Sequence, residues 1–114
     1  MNQELSLPPQ VLDLLLAIGV SLGDGGRPLT VQARHARVTA YSPTYIDLDI
    51  PTNCDPGKWA DGPLEIQPLV TDQAGEPVGE ILVWVSAGRM TLLEQAWFTD
   101  DPPTTWPSIE SVRI

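Results

Sequence analysis

The chain has one cysteine, Cys54, and one histidine, His35. A lone thiol cannot close an internal disulfide, so no covalent staple is available and a reducing compartment is the natural setting. Zinc sites draw on several Cys and His ligands, and a nucleophilic triad needs a histidine beside its nucleophile. Only a Cys54–His35 pair is conceivable, and no motif in "TNCDPG" supports it. Positive charge is also scarce: six Lys and Arg stand against fifteen Asp and Glu, for a net charge of −9. A field of that sign repels phosphate, which disfavours nucleic acid and anionic membrane surfaces as partners. Long apolar runs are missing too. The best one, Val11 to Val20, is broken by Asp13 and falls short of the roughly 20 residues that span a bilayer. The opening "MNQELSLPPQ" has no basic segment and carries Glu4, so a secretory leader is not expected and a cytoplasmic location is.

Recognisable cofactor motifs are absent as well. "GDGGRP" follows a helical pattern rather than a strand and lacks the Lys-Ser/Thr pair of a phosphate loop. "DLDIPTNCD" lacks the glycine and terminal glutamate of a calcium loop. No catalytic constellation, metal site or cofactor is expected.

What is present fits one domain of 114 residues with a 42% apolar composition. Twelve prolines and nine glycines predict many turns and short elements. The charge is uneven. Met1 to Arg37 holds three acids (Glu4, Asp13, Asp24) and three bases (Arg27, Arg34, Arg37). Val38 to Val112 holds twelve acids and only Lys58 and Arg89. A basic protein would be attracted to that part and steered by it. The plainer alternative is that acidity keeps the protein soluble.

Val11, Leu15, Ile18 and Leu22 recur at helical spacing, predicting a helix over about 8–22 with Ser6 as N-cap and Gly23 just past its end. The period then changes to two, and a sheet is expected over about 29–98. It starts with "LTVQARHARVTAY" and "YIDLDI", joined by a turn at 42–44. A loop over 51–63 follows. Next come a strand in "LEIQPLV" with Pro68 at an edge or bulge, and two strong strands, "VGEILVWVS" and "MTLLEQAWF". Residues 99–114 read as a proline-rich strap with a short final pairing. The expected fold is α+β: an N-terminal helix packed on an antiparallel meander of about five strands.

Met90 and Leu93 are an odd number apart, so either a bulge intervenes or both faces of that strand are buried. Glu94 is placed to reach a turn or Arg89, the alternative being an exposed strand acid. Asp47 and Asp49 share one strand face, read either as a partner-binding surface or as a solvated face. Trp97, Asp100, Asp101 and Trp106 belong to "AWFTDDPPTTWPS", read either as an acidic, aromatic binding turn or as a stiff strap.

The pattern of Gly88, Met90, Leu93 and Glu94, followed by Trp106-Pro107, resembles the C-terminal end of small acidic bacterial proteins. Some of these lie beside polymorphic toxins and are taken to be immunity proteins. The resemblance covers about the last twenty-five residues and rests on Gly88, Met90, Leu93, Glu94 and Pro107. It implies a non-enzymatic inhibitor that covers the cationic site of a basic toxin. The expected partner-binding residues are Asp47, Asp49, Trp97, Asp100, Asp101 and Trp106. Two alternatives remain: a structural or adaptor module, monomer or small homo-oligomer, pairing through an edge such as Leu64 to Val70; and an enzyme or metal protein built on scattered carboxylates.

Overall fold

The computed structural model describes residues 5–114. Glu4, which bears on the expectation of no leader, lies outside them. Helix α1 spans Pro9–Ser21 and buries Val11, Leu14, Leu15 and Ile18 at no more than 1% exposure. Each such side chain contributes about 1.5–3 kcal/mol relative to an exposed one. Its N-cap is Pro8, with no side-chain cap, so Ser6 does not fill that role. Proline suits the first turn because that turn's N–H groups lack intrahelical partners. Gly23, at φ 67°, lets the chain turn out of the helix as expected.

The residues after it overturn the expectation of an early strand. A short 3-10 turn, Gly23–Gly26, leads directly into helix α2, Arg27–His35. Leu29, Gln32 and Ala33 are its buried face, a helical spacing of three and one. One of the three is polar, so a hydrophobic/polar pattern misses the helical period. Arg34 and His35 occupy the last turn, where the free carbonyls favour basic side chains. The two helices cross closely. A Cβ on Gly26 would lie 1.9 Å from the Gly19 carbonyl oxygen, and one on Gly19 would lie 2.4 Å from Thr30 Cγ2.

The sheet contains β1 (Arg37–Tyr41), β2 (Tyr45–Asp49), β3 (Gly62–Pro63), β4 (Leu69–Thr71), β5 (Pro77–Ser86), β6 (Arg89–Trp97) and β7 (Val112–Arg113). The fold is therefore α+β with an all-antiparallel sheet, two helices and more strands than expected. The order is β1-β2-β6-β5-β4-β7, with β3 beside the C-terminal half of β5. β4, β5 and β6 form a meander. The β1–β2 hairpin joins it through β6 rather than through the next strand in sequence. The stretch read as "LEIQPLV" is a regular strand only at its end: Leu64 donates its N–H to the Val83 carbonyl, the buried Pro68 accepts the Ile81 N–H, and Leu69–Thr71 alone form a strand.

Between β5 and β6, Val85 pairs with Met90 and Trp84 with Leu92, leaving Thr91 as the extra residue. That bulge resolves the odd spacing, since Met90 and Leu93 both turn inward and are each 1% exposed. The turn at this hairpin has Ala87 at φ 52° and Gly88 at φ 78°, the left-handed pair that matches strand twist. The inner face, with Ile46, Ile81, Val83, Val85, Met90 and Leu93, shares one core with both helices.

Buried polar groups lock these layers together. Gln32, fully buried, donates from Nε2 to the Asp55 and Gly88 carbonyls, and its Oε1 accepts the Met90 N–H. It thus ties α2, the 51–61 loop and the β5–β6 hairpin at one point. Gln95 does the same at the other end, donating to the Pro43 and Thr105 carbonyls. Among the described residues, no helix is long and apolar enough to cross a membrane.

Candidate partner-binding face

A sheet with helices on one side leaves its other side to be read residue by residue. Strand alternation fixes which side chains point outward, and the register fixes their neighbours. One cross-sheet row runs through Ala40, Asp47, Leu92, Trp84 and Pro63. The next runs through Tyr45, Glu94 and Leu82. A third runs through Ala96, Glu80, Leu69 and Arg113. Asp49, opposite Arg37, completes the face at its β1 edge.

The outer face thus has an apolar centre of Leu82, Trp84 and Leu92, all half-buried, with Asp47, Asp49, Glu80 and Glu94 set around it. Its cations are confined to the edges, Arg37 on β1 and Arg113 on β7. Asp49 lies 3.9 Å from the Arg37 guanidinium, both side chains being well exposed. Such a surface pair is worth little, at most about 1 kcal/mol. Glu94 accepts a 3.0 Å hydrogen bond from the Trp84 indole N–H, not from Arg89 or a turn. That bond fixes the indole plane diagonally across two strands. Arg89 instead donates to the Thr52 and Cys54 carbonyls and pins the loop after β2. Among the described residues, Asp47 and Glu80 have no side-chain hydrogen bond or ion pair.

The expected site residues separate into three places. Asp47 and Asp49 are on the outer face, as their spacing predicts. Trp97, 44% exposed, ends β6, and Asp100 and Asp101 are exposed on the strap. Asp101 lines a groove of about 130 Å³ with Val70, Gln95 and Trp97. Val70 and Gln95 are buried inner-face residues, whereas Ala96, which also lines the groove, lies opposite Glu80 in the third row of the outer face. Trp106 is a correction. It is 3% exposed, lies in the core, and donates its indole N–H to the Ser42 carbonyl at 2.8 Å. It fastens the strap across the β1–β2 turn and offers no surface to a partner.

Glu80, Leu82, Trp84, Leu92 and Glu94 complete the face and were absent from the expected set. Their signal is the alternation in "VGEILVWVS", where one side carries Glu80, Leu82 and Trp84. It becomes a site only when register places it beside Asp47. The edge route to self-association is altered as well: β7 pairs with Leu69 and Val70, so that edge of β4 is occupied. Cys54 is buried in the core, whereas His35 is exposed. Among the described residues, no group of three or more His, Cys, Asp or Glu is placed to hold a metal ion.

Comparison with protein families, curated proteins and solved structures gives no match.

Proposed function

We propose that this protein is a binding module for a basic protein, docked on the outer face of the sheet. The observation that carries this is the register: four carboxylates surround a half-buried Leu82, Trp84 and Leu92 centre on the side of the sheet away from the helices. Apolar contacts in such a centre supply affinity, with aromatic anchors prominent among them. The surrounding carboxylates supply orientation and a fast approach. Trp84 is held in place before binding by Glu94, which lowers the ordering cost of contact. The more specific form of this function is immunity-type inhibition, with the acidic face covering the cationic site of a basic toxin. It rests on the C-terminal resemblance and the net charge of −9. A cytoplasmic setting agrees with the single buried thiol.

Capture from native lysate tests this directly. At low ionic strength the immobilised protein retains a basic protein, and the association rate falls steeply as salt shortens the reach of surface charge to about 8 Å near 0.15 M. Retention of nothing at low salt, or a rate indifferent to salt, would contradict it.

A further inference from the structure

Part of the basic charge is gathered at one place, where α2 meets β1. A cavity of about 330 Å³ lies between the end of α2, the start of β1, the loop after β2 and the segment at Leu5 and Ser6. Its walls include Arg34, His35 and Arg37, three of a total of six Lys and Arg and one His in the whole chain. None of its described lining residues is acidic, in a chain with fifteen Asp and Glu. Asn53 and Ser6 add an amide and a hydroxyl to the same walls. Leu5 is fixed there by its carbonyl, which accepts the Val38 N–H at 2.7 Å.

The side chains of Ser6, Arg34, His35 and Asn53 have no hydrogen bond or ion pair with any described residue. Arg37 is held by Asp49. Four donor-bearing groups therefore line one open polar cavity, exposed to water and committed to no described residue. A guanidinium matches an oxyanion in two-point geometry, and an imidazole N–H, an amide N–H and a hydroxyl complete such a cradle.

We propose that this cavity binds a small ligand through a doubly charged oxyanion group, a phosphate or a dicarboxylate. The chain's overall field opposes long polyanions, and the volume is at the lower end for small-molecule sites, so a small ligand fits both facts. The site meets the outer sheet face only at Arg37, the partner of Asp49, and none of its other lining residues belongs to the rows of that face.

Amide ¹H–¹⁵N spectra of the full chain, titrated at low salt with inorganic phosphate and separately with malonate, test it. At least one anion produces saturable shifts centred on residues 34–37 and Asn53, with a Kd of about 1 mM or tighter. Saturation by phosphate alone assigns a phosphate ligand, and by malonate alone a dicarboxylate. Arg34→Ala, an exposed substitution, weakens binding about tenfold or more, because a charged hydrogen bond is removed. Arg113→Ala, at the far edge of the sheet, leaves it unchanged. The proposal is overturned if neither anion saturates by about 10 mM. It is also overturned if Arg34→Ala titrates like the parent protein, or if the shifts spread equally to Lys58, Arg89 and Arg113.

Discussion

Gln32 is the residue on which three segments converge. Its amide serves two carbonyls and one N–H in a site closed to water. Gln32→Leu keeps the approximate volume but strands the buried Met90 N–H, at about 1–3 kcal/mol, while the Gly88 carbonyl keeps the Gly57 N–H and the Asp55 carbonyl is only part-buried. Two further hydrogen bonds are lost with it, so a loss of about 2–3 kcal/mol in chemical denaturation is expected. A change below 1 kcal/mol would show that the three segments do not depend on this amide. Ala87 makes the opposite case. It stands at φ 52° before Gly88, where asparagine is far better suited. Ala87→Asn is expected to raise stability by about 0.5–1 kcal/mol, read as a shift in the denaturation midpoint with unchanged slope.

At the scale of elements, the strap is a structural member. Trp106 enters the core, Gln95 holds the Thr105 carbonyl, and β7 then pairs with β4. Trp106→Ala removes a large buried ring and its bond to Ser42, and is expected to cost about 3–5 kcal/mol in thermal or chemical unfolding. A near-neutral result would favour the binding-turn reading of this stretch over the strap. Elements with a clean period were legible: α1 from its apolar spacing, β2 from Ile46 and Leu48, and β5 from Ile81, Val83 and Val85. The bulge in β6 was half-legible, because the odd spacing of Met90 and Leu93 announced an irregularity without locating Thr91. α2 was not legible, because its inward face includes Gln32, and a polar letter in a core position hides the period. The candidate face was legible only in its first two members, Asp47 and Asp49. Glu80 and Glu94 lie far from them in sequence, and strand order, a long-range property, brings them together.

For the whole molecule, the layering separates three tasks. The helices and inner face hold the fold, the strap closes one end, and the outer face gathers carboxylates around an indole fixed by Glu94. If that face is the docking surface, charge reversal there and on the strap must have different consequences. The decisive measurement is partner capture at low salt by three forms of the chain: the parent, Asp47→Lys with Glu80→Lys, and Asp100→Lys with Asp101→Lys. All four positions lack a side-chain hydrogen bond or ion pair among the described residues, so the fold should survive, as circular dichroism would verify. The outer-face pair should lose the partner by at least about a hundredfold, since like charges across an interface cost several kcal/mol. The strap pair, two reversals of equal size, should weaken capture much less, through long-range steering alone. Equal losses from the two pairs, or full retention by the outer-face pair, would contradict docking on the sheet.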